Sequence, residues 1–315
     1  MMSLFLCQKN HFSDIYLRKN MNFHALKLLS ILIRINQPIG IWLLLLPTFW
    51  SVSIVKIWRF DLLIIIFVLA IGGFLMRNIG CIINDFADRN FDAIVYRTRV
   101  RPLANNQLKL YQVLNFLILN IILGITIILL LKIKTIIMIL LSFPLIIIYP
   151  FLKRITSLPQ VWLGFVFNWG ILATSTELHN CFELSTIMIY ISALFWTLGY
   201  DTIYAHQDKD DDRIIGVKSL ALLIENTTPE WIIVFYSITI LLLNLSGLYY
   251  YLHWSYFIFI FIINIHFISQ IFLINLKNIF HCGFIFKSNR NYGLLVIWAI
   301  CLSHILISFD THYYI

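Results

Sequence analysis

An all-helical fold embedded in a membrane, with about nine spans, follows from three observations. Of the 315 residues, 60% are hydrophobic and only 12% charged, and the mean hydropathy is +0.86. The apolar residues gather into nine runs, each close to the roughly 17–25 residues that cross a bilayer. The cations are segregated to the segments on one side of those runs. A soluble domain is about half apolar and about a quarter charged, so a cytosolic enzyme, a disordered chain and a disulfide-built secreted module are excluded. The net charge of +8 belongs to basic residues lying between apolar runs, which fits a membrane surface and not nucleic acid. The five cysteines (Cys7, Cys81, Cys181, Cys282 and Cys301) form no CxxC pair and read as reduced structural thiols.

The chain divides in order as follows. Residues 1–24 read as a cytoplasmic N-terminal extension, without the charged start, short apolar core and small-residue cleavage site of a signal peptide. Residues 25–315 read as one transmembrane domain without a linker. Its apolar runs are 38–57, 61–83, 111–131, 135–152, 159–177, 183–205, 231–250, 252–275 and 292–309. Pro38, Pro144, Pro150 and Pro159 mark ends or kinks, which a bundle tolerates when neighbouring helices satisfy the freed backbone groups. With the N-terminus in the cytoplasm, the outer segments hold four cations, Lys56, Arg59, Lys132 and Lys134. Arg77 lies within the second run, and the remaining 18 of the 23 Lys and Arg fall inside. The expected setting is a bacterial cell inner membrane, with a mitochondrial inner membrane the less favoured alternative, crossed many times and with the N-terminus cytoplasmic.

Eight of the 15 carboxylates fall in two short segments at the inner ends of spans. The first is Asn84-Asp85-Phe86-Ala87-Asp88-Arg89-Asn90-Phe91-Asp92; the second is Asp201 followed by Asp208-Lys209-Asp210-Asp211-Asp212. At about 100° per residue, Asn84, Asp88 and Asp92 lie within roughly 80° of one another, and Asp85 falls in about the same sector. Asp208 and Asp212 are about 40° apart, with Asp201 near them on the projection. Like charges so close repel, and near a membrane they are costly to ionise. Mg²⁺ is the natural compensator: it prefers oxygen donors and is held by one or two carboxylates together with substrate phosphate and water. Arg77, Arg89, Arg97, Arg99, Arg101, Lys153, Arg154 and Lys218 lie on the same side, suited to phosphate or carboxylate. Acid clusters and a basic rim at the edge of an apolar interior imply a ligand with a phosphorylated head and a greasy tail.

The nine histidines make no HxxH, HxxxH or HExxH pair, which argues against zinc hydrolysis. His206 reads as a capping or interface residue, Glu177 as interfacial, and Lys109, Lys277 and Lys287 as solvated charges. Gly72-Gly73 reads as a close helix contact.

These segments resemble the two aspartate-rich motifs of the UbiA family of intramembrane aromatic prenyltransferases. Residues 84–92 read NDxxDxxxD and residues 208–212 read DxxxD. The likeness extends to the family's 4-hydroxybenzoate branch through Arg34-Ile-Asn-Gln-Pro-Ile-Gly40, Met76-Arg77, Arg97-Thr-Arg-Val-Arg-Pro102, Tyr149-Pro-Phe-Leu-Lys-Arg154, Tyr200-Asp-Thr-Ile-Tyr-Ala205 and Gly216-Val-Lys-Ser219. Asn105-Asn106 stands where the family usually has a small Ser-Gly pair.

The resemblance implies a nine-helix bundle around a central cavity open to lipid. It implies Mg²⁺-dependent transfer of a polyprenyl chain from its diphosphate to C3 of 4-hydroxybenzoate, releasing diphosphate, in ubiquinone biosynthesis. The partners implied are those two substrates and the bilayer, with no nucleic acid and no obligate protein partner. Asn84, Asp88, Asp92, Asp208 and Asp212 are the expected metal ligands. Asp88, Asp208, Arg89 and Arg154 are the expected catalytic residues, and Arg34, Arg77, Asp85, Lys153, Asp201 and Lys218 the expected substrate contacts. Another aromatic acceptor (homogentisate, dihydroxynaphthoate or haem) is the nearest alternative. A membrane ion transporter is the alternative of another class, although transporter sites lie near the bilayer midplane on broken helices.

Overall fold

The computed structural model describes residues 25–54 and 60–312. The expected extension, residues 1–24, lies outside the described residues, as do Lys56 and Arg59. Among the described residues every regular element is a helix. Residues 25–32 form α1. There follow α2 (Ile39–Ser53), α3 (Phe60–Asp92), α4 (Leu110–Ile128), α5 (Ile133–Ile155), α6 (Pro159–Phe167), α7 (Trp169–His179) and α8 (Leu184–Ala205). The chain continues with the short α9 (Lys209–Ile215) and α10 (Leu220–Leu223), then α11 (Thr228–Tyr249), α12 (Trp254–Ile263), α13 (Ile265–Leu273) and α14 (Ile279–His312).

Among the described residues the apolar runs fall on helix, and seven helical stretches there are long and apolar enough to cross a membrane. The expected nine spans are not reached on that measure, because α2 is short and the run 159–177 is two helices. They meet at Asn168, fully buried at φ −94°, ψ 4°. Its side-chain amide N–H groups donate to the Gly164 carbonyl (2.7 Å) and to Thr197 Oγ1 on α8 (3.0 Å), so the carbonyl freed at the break is satisfied inside protein. A similar break at Asn264 separates α12 from α13. Pro38 caps α2 and Pro159 opens α6, whereas Pro144 and Pro150 lie within a continuous α5. Asn106 takes φ +55°, a turn conformation that asparagine tolerates in place of glycine.

Lipid tails are as apolar as leucine, so helices in a bilayer associate by close packing and internal polar contacts. Trp50 stacks on Trp196 (4.9 Å between ring centres), and its indole N–H donates to the Gly293 carbonyl (2.8 Å). Tyr236 stacks on Phe267 (3.9 Å) and donates its hydroxyl to Gln270 Oε1 (2.8 Å). Glu177 is buried and accepts the Lys132 backbone N–H (3.0 Å), tying the α4–α5 turn to α7.

The helix that positions the site is α3. At 33 residues it is about 50 Å long, against a hydrocarbon core of about 30 Å. One unbroken helix therefore carries an apolar membrane stretch and, at its inner end, the first acidic segment.

Candidate active site

Because α3 stays helical to Asp92, Asn84, Asp88 and Asp92 do share one face. The chain then folds back through residues 93–109. Thr98 Oγ1 donates to the Asp92 carbonyl (3.1 Å), which returns two arginines of the loop toward the acids. Arg101 donates to Asp85 (3.1 Å) and Asp92 (2.6 Å). Arg34 reaches the same Asp85 oxygen at 2.8 Å, from a backbone held at φ +60°. A non-glycine residue in that conformation costs about 1–3 kcal/mol and persists where its surroundings enforce it. Asp85 is buried and accepts from both of these arginines.

The second segment is built differently from its helical projection. Helix α8 ends at Ala205, and Asp208 is the N-cap residue of the separate α9, which carries Asp212. The phase that placed Asp201 beside Asp208 does not carry across this break; Asp201 stays on α8, where its charge couples to Arg77. Arg97 closes the gap between the two segments. Its fork holds both Asp208 oxygens, with the Nε contact at 2.7 Å, while Nη1 donates to the Tyr204 hydroxyl (2.9 Å). Burial works against the Arg97 charge, but the hydrogen bond to Asp208 and the charges of Tyr204 and Asp208 together outweigh it and keep the guanidinium above its ordinary pKa. Lys153, from the last turn of α5, is ion-paired to Asp88 and its charge is also felt by Asp212. Burial, reinforced by the charge of Asp208, pushes the Asp212 carboxyl up to about 7.

All eight carboxylates of the two segments line one cavity of about 1680 Å³. Its polar end also receives Arg34, Arg97, Arg101 and Lys153, and its other walls are the apolar faces of α2 to α7. The five expected metal ligands are thus brought together, and every donor among them is a hard oxygen. Asp88 Oδ1 is buried and has no hydrogen-bond partner among the described residues, although buried polar atoms are nearly always paired. Among the described residues no three His, Cys, Asp or Glu side chains converge tightly enough to hold a metal by themselves. The set fits Mg²⁺, which takes few protein ligands and completes its shell from phosphate and water.

Of the expected substrate contacts, Arg34, Arg77, Asp85, Lys153, Asp201 and Lys218 all line the cavity. Arg77 lies over the Phe167 ring (5.5 Å) and against Gly40, where a Cβ would stand 2.6 Å from its Nη2. Arg89 and Arg154 do not line it. Both are exposed: Arg89 stacks on Phe86 (5.7 Å), and Arg154 donates to the Ala87 carbonyl (2.8 Å) over Phe91 (4.9 Å). Arg154 braces α5 against α3. His206 bonds Thr228 Oγ1 (3.1 Å) and also lines the cavity, and burial lowers its pKa to about 4, with Lys209 adding to the effect. Lys277 and Lys287, expected as solvated charges, line the cavity mouth. Arg97 and Arg101, which the sequence placed only in the general basic rim, between them pair with both acidic segments. The signal available was their spacing of four immediately after the first acidic segment.

The UbiA prenyltransferase family profile matches residues 44–291. The chain is 38% identical over 278 residues to 4-hydroxybenzoate geranyltransferase 1 of Lithospermum erythrorhizon, covering 87% of this chain and 89% of that one. It is 37% identical over 276 residues to the mitochondrial 4-hydroxybenzoate polyprenyltransferase of Mus musculus, covering 87% and 74%. Among solved structures it is similar to a UbiA homologue from Aeropyrum pernix K1, with TM-score 0.67 at 19% identity over 85% of this chain and 98% of that one. It is also similar to a UbiA homologue from Archaeoglobus fulgidus bound to GPP and Mg²⁺, with TM-score 0.58 at 16% identity over 86% and 99%. With the profile covering most of its length and relatives at 37–38% identity covered to 74–89% of their own length, the chain belongs to the UbiA prenyltransferase family.

Proposed function

We propose that the protein transfers a polyprenyl group from its diphosphate to C3 of 4-hydroxybenzoate, the prenylation step of ubiquinone biosynthesis, with Mg²⁺ as its metal. The observation that carries this reading is one cavity whose polar end holds both acidic segments and whose remainder is apolar. That polarity matches a diphosphate on a hydrocarbon tail. Relatives named for 4-hydroxybenzoate transfer support the acceptor, and the Archaeoglobus homologue bound to GPP and Mg²⁺ supports the donor class and the metal. The cation skew supports an orientation with this end facing the cytoplasm, in a bacterial inner membrane.

Asn84, Asp88, Asp92, Asp208 and Asp212 would hold the metal against the diphosphate. Bound there, it neutralises charge developing on the leaving group. Arg97, Arg101 and Lys153 are within reach of the same oxygens once they leave their carboxylates, and their charge-assisted hydrogen bonds strengthen as the leaving group becomes more anionic. Lys218 helps to place Lys153, because its backbone N–H donates to the Lys153 carbonyl (2.8 Å). Departure of diphosphate breaks the C1–O bond and leaves an allylic cation. Phe91, Tyr149, Phe167 and Tyr204 line the cavity around it; their rings exclude water and offer π faces to the cation. The acceptor carbon beside the phenol hydroxyl bonds C1, and loss of its proton restores the aromatic ring.

The acceptor carboxylate falls to Arg77. Arg34 is engaged by Asp85, and Arg89 and Arg154 lie outside the cavity. A charged residue inside a span must face a cavity or a partner, and Arg77 does face the cavity.

The test is product formation in isolated membranes given a polyprenyl diphosphate, Mg²⁺ and a panel of phenolic acids, read by mass spectrometry. The prenylated product of 4-hydroxybenzoate is expected to dominate. Asp88→Ala and Asp208→Ala should each lower the rate by about 100-fold or more; near wild-type transfer by either would overturn the ligand assignment.

A further inference from the structure

The cavity is much longer than its polar end. On α3 its lining runs from Val68 to Asp92, which at 1.5 Å per residue is about 36 Å, the full thickness of a hydrocarbon core. The head is marked by Asp88, whose buried Oδ1 has no partner among the described residues. Lower on the same helix, turned from Asp88 by roughly 80° and 160° at about 100° per residue, Gly80 and Gly72 line the same cavity. A Cβ built on Gly80 meets nothing within 4 Å, and one built on Gly72 meets only Ile127 of α4, at 3.9 Å. Neither glycine is required for helix packing, in contrast to Gly73, whose Cβ would press on Leu44 and Leu45 of α2. In a helix interior each glycine costs about 1 kcal/mol relative to alanine, so their place on the cavity wall needs a reason other than helix stability.

We infer that Gly80 and Gly72 set the bore through which the donor's isoprene chain runs down α3, and so the tail lengths the enzyme accepts. This rests on the donor reading given under Proposed function. Gly80 lies four residues below Asn84, about 6 Å along the axis, and Gly72 twelve residues below, about 18 Å. One extended isoprene unit, with four main-chain bonds of about 1.5 Å each, spans about 5 Å. A five-carbon donor therefore ends near Gly80, and a donor of about fifteen carbons ends near Gly72. The two flanks of α3 divide the labour. Arg77, on the Gly40 side, takes the acceptor, and Gly72, on the Ile127 side, passes the tail. Met76 lines the wall between them as an unbranched, adaptable side chain.

The experiment is a donor ladder of dimethylallyl, geranyl, farnesyl and geranylgeranyl diphosphates on purified wild type, Gly80→Phe and Gly72→Phe. It is read twice: as kcat/KM with 4-hydroxybenzoate, and as protection from thermal unfolding by donor and Mg²⁺ without acceptor. Gly80→Phe should keep dimethylallyl within about 3-fold of wild type and lose at least 10-fold with geranyl and longer donors. Gly72→Phe should keep donors up to farnesyl and lose at least 10-fold only with geranylgeranyl. Gly80→Ala and Gly72→Val, which add little bulk, give the same order of cut-offs at smaller amplitude if a phenylalanine variant fails to fold. Equal losses at every donor length, or Gly72 variants indifferent to geranylgeranyl because the tail leaves sideways above that depth, overturn the inference. Wild type that binds donors by length but makes no product from 4-hydroxybenzoate would sink the acceptor assignment and leave the bore standing.

Discussion

Asp212 carries a charge that the fold resists. Its carboxyl is pushed up to about 7 by burial and by Asp208 beside it, with Lys153 and Arg97 opposing, whereas an aspartate in an unfolded chain titrates near 4. The folded state therefore binds this proton more tightly than the unfolded one. Stability is greatest at low pH on this account and declines as pH rises between about 4 and 7. Metal-free protein in detergent should show a Tm that falls from about pH 4 to pH 7, and Asp212→Asn should flatten that slope. A variant as pH-sensitive as wild type would remove Asp212 as the source. The same strain is useful with ligand present, because a site that disfavours its own negative charge gains most when a metal arrives.

At the scale of elements, one close joint is that of α8 with α11. A Cβ at Gly199 would stand inside the contact distance of the Tyr236 ring. That ring is stacked on Phe267 and tethered through its hydroxyl to Gln270, so it has nowhere to swing. Gly199→Ala should push α8 off α11 at a cost of about 1–3 kcal/mol, seen as a Tm lowered by several degrees. Adding Tyr236→Leu should recover part of the loss, and an unchanged Tm in the single variant would show that the joint yields freely. Helix identity was legible because apolar composition alone reports membrane spans, and the first acidic face because α3 never breaks. The interruptions were hidden. Asn168 ends α6 with the help of Thr197, a partner on another helix that no local pattern displays. The end of α8 at Ala205 likewise invalidated a projection that assumed one helix from Asp201 to Asp212. Arg97 and Arg101 were visible as a basic run, but their pairing with Asp208, Asp85 and Asp92 depends on how residues 93–109 fold back.

Taken whole, the molecule balances its acids internally. Arg97 holds Asp208, Lys153 holds Asp88, and Arg101 holds Asp92, all partly shielded from water. A cation entering alone must displace these partners, leaving buried arginine and lysine uncompensated, which costs several kcal/mol. Diphosphate entering alone draws the same cations away and leaves the acids exposed to one another. Together the two ligands exchange partners with the protein: the metal takes the carboxylates while the phosphate oxygens take the arginines and the lysine. Binding should therefore be strongly coupled, each ligand raising the affinity of the other by the same factor. Thermal unfolding of the detergent-purified protein should shift little with millimolar Mg²⁺ or with pyrophosphate, and by clearly more than the sum when both are present. Arg97→Ala frees Asp208 in advance, so Mg²⁺ alone should stabilise that variant more than wild type, with less coupling to pyrophosphate. A full shift of wild type by Mg²⁺ alone would mean that the carboxylates form a finished metal site without the diphosphate, and the exchange of partners would be refuted.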